Sequence, residues 1–345
     1  MASRQPVLVT GGAGYIGSHV VGMLREAGYP VVAYDNLSTG HRWAVRDAEL
    51  MVGDLADHAR LEALFAERGF GTVMHFAANI WVGESVREPA RYYRNNVVHA
   101  LNLFELAARH EVSRIVLSST AAVYGEPGVA LIEETLPLAP INPYGASKMM
   151  AERILADVAG AAGLRYVILR YFNVAGADVE GRIGEATPNN SHLVKVACEA
   201  AIGIRPGVAI NGVDYPTPDG TCVRDYIHVE DVAAAHVEAL RHLERGGSSE
   251  VFNCGYGHGF SVREVIDAVR EVSGVDFPVG QGPRRPGDPA VLVAGNRRIR
   301  ETLGWQPRHD DLAFIVRTAW QWEQRLQAQG GPAALDAAAA AAASA

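Results

Sequence analysis

Residues Gly11-Gly12-Ala13-Gly14-Tyr15-Ile16-Gly17 follow directly on the apolar run Val7–Val9 and lead into the apolar-periodic stretch Ser18–Glu26. The chain therefore opens as strand, glycine-rich turn and helix. With no side chains at Gly11, Gly14 and Gly17, the turn can be tight and a phosphate can approach the backbone. The helix starting at about Gly14 then offers its free N–H groups to that phosphate. The spacing Gly-x-x-Gly-x-x-Gly is one residue longer than Gly-x-Gly-x-x-Gly, which lengthens the loop and leaves its physics unchanged.

Further apolar runs follow at intervals. Val31–Tyr34 ends at Asp35, Thr72–Phe76 at Ala77-Ala78, Arg114–Leu117 at Ser118-Ser119, and Tyr166–Leu169 at Arg170. Helix-patterned segments separate them. Such alternation predicts an α/β protein: a Rossmann-type, doubly wound parallel sheet with helices on both faces and ligands at the carboxyl ends of its strands. We expect this dinucleotide-binding domain over residues 1–175. Beyond it Gly and Pro become frequent, as in Asp214-Tyr215-Pro216-Thr217-Pro218, and a smaller α/β substrate-binding lobe is expected over 176–330. Residues 221–250 are expected to rejoin the first domain, through a strand at Arg224–Val229 and a helix at Asp231–Leu243. Residues 331–345 are rich in alanine and lack an amphipathic face, so they read as a frayed, low-complexity tail.

Tyr144 and Lys148 stand four residues apart in Asn-Pro-Tyr-Gly-Ala-Ser-Lys. On a helix such positions share a face, so the ammonium can favour the ionised phenol and make it a usable base near neutral pH. A dinucleotide loop with such a base points to redox chemistry on a hydroxyl group. Asp35 closes the second strand about twenty residues after the glycines, where a carboxylate accepts hydrogen bonds from ribose hydroxyls. That favours NAD, since a 2′-phosphate would be repelled. Asp54, after the third strand, could meet the adenine amino group or cap a helix.

The formal net charge is −8 and no basic block is present, so neither nucleic acid nor an anionic membrane surface is an expected partner. Cys198, Cys222 and Cys254 are odd in number and far apart, which speaks against a disulfide framework or a metal cluster. Without an apolar leader, or a charge-free apolar run of about 20 residues, the chain reads as cytoplasmic.

With the glycine loop, Asp35, Asp54, Thr120 and Tyr144/Lys148 in this order, the chain resembles the extended short-chain dehydrogenase/reductases. Within them it is similar to the UDP-glucose (UDP-galactose) 4-epimerase family. The most specific stretches are Tyr34–Gly40, Val82–Ser85, Asn95–Val97, Tyr171–Asn173 and Asp214–Thr221. The resemblance implies that Tyr15, Ile16, Asp35, Asn36, Asp54, Leu55, Phe76, Ala77, Ala78, Asn95, Tyr144, Lys148 and Phe172 surround NAD. It further implies that Asn173, Asn190, Arg224, Arg285 and Asp288 hold a UDP-sugar, and that Thr120 assists Tyr144 at the reacting oxygen. Guanidinium donors at Arg224 and Arg285 suit a diphosphate. No metal is implied. A homodimer is implied, through helices around 89–109 and 143–162.

The implied reaction is reversible 4-epimerisation of UDP-glucose and UDP-galactose through a transient 4-keto sugar, with NAD tightly bound. Two residues after Thr120 are Ala121-Ala122, where nucleotide-sugar dehydratases and decarboxylases carry an acid. Related readings are 4-epimerisation of UDP-N-acetylglucosamine, UDP-xylose/arabinose or UDP-glucuronate, or a net nucleotide-sugar dehydrogenase/reductase. Two positions depart from the family or leave its sugar open: Ile80 where a lysine often stands, and Leu292 near the sugar. His228, in Tyr226-Ile227-His228-Val229, reads as a hydrogen-bonded core histidine.

Overall fold

The computed structural model describes residues 4–342 apart from 130, 189, 286 and 287. Seven parallel strands form the central sheet: β1 (Val7–Thr10), β2 (Val31–Asp35), β3 (Glu49–Val52), β4 (Thr72–His75), β5 (Arg114–Thr120), β6 (Arg165–Tyr171) and β7 (Glu250–Cys254). Their order is β7-β6-β5-β4-β1-β2-β3. The chain runs outward from β1 to β3, returns, and builds the other half from β4, so the switch point lies between β1 and β4.

The strands are apolar on both sides because helices cover both. Val7, Val9, Val31 and Ala33 join one core with helix α1 (Tyr15–Glu26). Leu8, Val32 and Tyr34 point the opposite way, into a second core with Leu61, Phe104 and Leu155. This period-two partition fixes the register, which aligns the strand ends: Thr10 pairs with Tyr34 and His75, His75 with Leu117, and Thr120 with Tyr171.

Helix α2 (Pro143–Ala162) has its phase set at both ends. Asn142 caps it by accepting from Gly145 N (2.9 Å), Pro143 occupies the first turn, and Gly163 closes it at φ 72°. That phase buries Lys148, Glu152 and Leu155 along one stripe against the sheet. Beneath the stripe, Glu152 accepts from Arg170 Nε (3.0 Å) and from the Ser119 hydroxyl, and Arg170 also donates to Tyr124 (2.9 Å). One buried ion pair thus ties α2, β5 and β6 together.

The segment expected as a sheet strand at Arg224–Val229 behaves differently. Residues 226–228 do form a strand, but it pairs in parallel with 173–175 in a separate ladder. Val229 begins helix α3 (Val229–Glu244), which packs on α1 and β6, and the large sheet is rejoined only at β7. Placing His228 at the helix boundary explains this: its Nδ1 accepts from Glu230 N (3.2 Å), capping α3. Helices Leu193–Ala201, Val262–Ser273 and α4 (Leu312–Ala328) pack together beyond the sheet, with short ladders joining 208–211 to 279–282 and 223–224 to 291–294.

The segment read as a frayed tail forms helix α5 (Pro332–Ala342) and docks. Leu335 packs with Ala177, Ala186, Trp322 and Leu326, and Asp336 pairs with His41. Periodicity could not reveal this, since an alanine run presents no apolar stripe around Leu335 and Asp336.

Removing Glu152 as Glu152→Ala leaves the Arg170 guanidinium buried without its partner, a loss of about 3–5 kcal/mol. Urea unfolding should show a lower midpoint with an unchanged slope; a midpoint equal to wild type would contradict the tie.

Candidate active site

Gly11 follows β1 at φ 72°, and a Cβ there would lie 2.6 Å from the Ala77 nitrogen. At Gly17 a Cβ would lie 2.1 Å from the Gly11 carbonyl oxygen. No other residue fits either position, so the turn lies flat against Phe76-Ala77 and the start of α1 is drawn under it. Helix α1 has Gly14 as N-cap, no side-chain cap and no acid in its first turn. Its N–H groups are thus left for an anion, as a dinucleotide cradle requires.

Asp35 ends β2 beside this turn and is mostly buried. Its carboxylate accepts from Ala13 N (3.0 Å) and Leu37 N (2.8 Å). Burial pushes its pKa up, with those two N–H groups opposing the rise. Asn36 donates to Asp54 Oδ2 (2.7 Å), and Asp54 Oδ1 accepts from Ala56 N (2.8 Å). Burial would raise the Asp54 carboxyl, but these hydrogen bonds outweigh it and hold it below the usual range. Leu55 is buried beside them. Asp35, Asn36 and Asp54 therefore form one linked edge, adjoining Tyr15 and Ile16 at the start of α1.

Across the switch point, Phe76 packs at 4.7 Å against His236 with the rings tilted by 42°, and Ala77-Ala78 continue from it. Asn95 sits in a π-helical turn, Arg94–Val98, a local widening that often marks functional positions. It donates to Asn96 Oδ1 (2.9 Å), which also accepts from Asn79 N (2.8 Å); Asn96 Nδ2 donates to Ser147 Oγ (3.0 Å). This asparagine bracket fixes the loop after β4 to α2. Ile80 in that loop is 38% exposed.

Lys148 is buried, and its Nζ donates to the Ser118 carbonyl (2.9 Å). Burial lowers its pKa to about 8, while the Glu152 carboxylate one turn on pulls it back up. Tyr144 lies one turn earlier. Burial raises its phenol above the usual value, and a hydrogen bond with Thr120 pulls the other way. Desolvation dominates in the protein by itself. Thr120, the last residue of β5, also accepts from Ala122 N (3.1 Å), so its hydroxyl is fixed.

From Tyr171, the register partner of Thr120, the chain passes through Phe172 to Asn173. Phe172 packs with Tyr124 and Leu292. Asn173 N donates to Asp225 O (2.9 Å), next to Arg224. Arg224 is mostly buried and pairs with Asp288, and Leu292 is its register neighbour. With the Asn211 carboxamide turned so that its oxygen faces Arg285, Nη2 and Nε of that guanidinium donate to it (2.9 and 3.2 Å). Asn190 engages neighbours of its own: its Nδ2 donates to Glu185, and its Oδ1 accepts from His192 N (2.6 Å). Sequence reasoning missed Ser118, Ser119, Glu152 and Arg170. The i+4 continuation Tyr144-Lys148-Glu152 was the available signal for Glu152. His228 is fully buried, with Nε2 3.0 Å from Thr318 Oγ1.

A glycine cradle at the switch point of a doubly wound sheet, with a buried lysine one turn from a tyrosine, defines a dinucleotide-dependent α/β protein built for chemistry on a hydroxyl group. The chain belongs to the NAD dependent epimerase/dehydratase family, whose family model matches residues 7–255. It is 55% identical over 333 residues to a UDP-glucose 4-epimerase of Azospirillum brasilense, covering 96% of each chain. A crystal structure of a UDP-glucose 4-epimerase superposes with a TM-score of 0.91 at 47% identity, over 94% of this chain and 98% of that one. The Brucella ovis UDP-glucose 4-epimerase in complex with NAD gives 0.90 at 46% identity, over 92% and 98%.

The phenol should therefore stay neutral in NAD-free protein. In an alkaline absorbance titration, wild type minus Tyr144→Phe should show a phenolate transition displaced to higher pH than that of an ordinary tyrosine. Phenolate at neutral pH without cofactor would contradict this.

Proposed function

We propose that the protein interconverts UDP-glucose and UDP-galactose by inverting C4 through a transient 4-keto sugar, with NAD as resident cofactor. The observation that carries this reading is the convergence of Thr120, Tyr144 and Lys148 at the strand ends beside the glycine cradle. UDP-glucose 4-epimerases align with this chain over nearly their whole length, which supports it.

The cradle fits NAD: Gly11, Gly14 and Gly17 leave room for the pyrophosphate at α1, with Tyr15 and Ile16 lining its first turn. Asp35 and Asn36 face the adenosine ribose, and Asp54 and Leu55 the adenine. Phe76, Ala77, Ala78, Asn95, Lys148 and Phe172 border the nicotinamide half. When bound, NAD would supply the acceptor and donor of the C4 hydride, and its positive charge would add to that of Lys148 in favouring the Tyr144 phenolate. Tyr144 takes the proton of the sugar 4-hydroxyl and later gives it back. Thr120 steadies the same oxygen, and Lys148 holds Tyr144 in position while supplying positive charge.

Inversion requires the sugar to turn while its nucleotide stays fixed. Arg224 and Arg285 supply guanidinium anchors for the diphosphate, with Asp288, Asn173 and Asn190 around the UDP. Residues 1–175 with 221–250 thus serve NAD, and 176–330 serve the UDP-sugar. The three cysteines are buried and free, which suits a reducing, cytoplasmic setting. No helix among the described residues is long and apolar enough to cross a membrane.

Val98, Leu101 and Met150 are exposed apolar residues on the helices at 89–109 and 143–162. We read this face as the homodimer contact. Sedimentation equilibrium should give twice the chain mass, and Leu101→Asp the monomer; a monomeric wild type would contradict the contact.

Purified protein incubated with UDP-galactose should approach a UDP-glucose/UDP-galactose equilibrium without net NADH. Tyr144→Phe should slow it by about 10²–10⁴-fold. Steady accumulation of NADH, or unchanged UDP-galactose with NAD bound, would contradict the proposal.

A further inference from the structure

The loop that leaves Asp35 is under strain and held from outside. Leu37 adopts φ 57°, a left-handed conformation that a branched side chain keeps only when its surroundings enforce it. Further on, a Cβ at Gly40 would lie 2.8 Å from the Ala13 carbonyl carbon, so the loop presses on the glycine turn. His41 N donates to Ala13 O (2.9 Å), and Ala13 N donates to Asp35 (3.0 Å). The imidazole of His41 reaches the other way. Its Nδ1 lies 2.7 Å from Asp336 on α5, and its Nε2 lies 3.1 Å from the Ala186 carbonyl oxygen. Its ring stacks on Trp43 at 5.1 Å, and Trp43 rests on Trp322 at 5.5 Å. The side chain is only 12% exposed.

A line of hydrogen bonds therefore runs from the C-terminal helix to the carboxylate beside the cofactor cradle. We propose that His41, held by Asp336 of the C-terminal helix, is a positioning residue that clamps loop 36–41 onto the glycine turn and so retains NAD. The proposal rests on the reading that NAD occupies the cradle. A loop left free must be ordered each time the adenosine end binds, which weakens affinity by the fraction of time it is misplaced. The clamp orders it beforehand. Asp336 touches neither NAD nor sugar, and acts only through His41.

The test is titration of NAD-stripped protein with NAD, followed by calorimetry, for wild type, Asp336→Ala, Asp336→Glu and a chain ending at Gln329. Thermal midpoints are measured without NAD alongside. Asp336→Ala and the shortened chain should bind NAD about three- to tenfold more weakly, the loss of one charge-assisted hydrogen bond at a partly exposed site. Asp336→Glu should recover most of the affinity, and kcat should return to about the wild-type value once NAD saturates. NAD affinity equal to wild type in both Asp336→Ala and the shortened chain overturns the proposal, whether or not the midpoints fall. Failure of wild type itself to bind NAD would instead overturn the reading of the cradle.

Discussion

The hydrogen bond from the Lys148 ammonium to the Ser118 carbonyl (2.9 Å) is the contact on which the arrangement of the site depends. A buried cation needs satisfied donors and a nearby counter-charge. The Ser118 carbonyl supplies one acceptor, and Glu152 supplies the charge from one turn along the same helix. Glu152 in turn is held by Arg170 and Ser119. The end of β5, the phase of α2 and the end of β6 are thereby locked together. Thr120 and Tyr144 face one another because those elements cannot slide.

The same lock divides the labour of the molecule. On one side of the switch point the glycine turn, Asp35 and the strained loop after it form a rigid cradle. On the other, Tyr171 leads through Phe172 and Asn173 to Arg224, which lies in a separate small sheet. Arg224 and Arg285 are paired with Asp288 and Asn211 and stand apart from the redox centre in the chain. A nucleotide gripped there leaves its sugar tethered rather than wedged, which is what a turn between two hydrogen transfers demands.

Local features were legible in the sequence. The glycine turn, the Asp35 strand end and the Tyr144/Lys148 spacing each lie within one element, where the period of strand or helix dictates who faces whom. Features made by distant partners were not. The ladder between 173–175 and 226–228 and the pairing of His41 with Asp336 join segments about 50 to 300 residues apart, and no periodicity announces them. Spacing likewise reveals the Lys148 charge near Tyr144 but not the burial that opposes ionisation in the protein by itself.

In the proposed reaction, hydrogen leaves C4 and returns to C4 within one bound molecule. UDP-galactose carrying deuterium at C4, converted in the presence of excess unlabelled NAD and NADH, tests it by mass spectrometry of the product. The UDP-glucose formed should keep its deuterium at C4 in full. Loss of the label to water or to free NADH would contradict it.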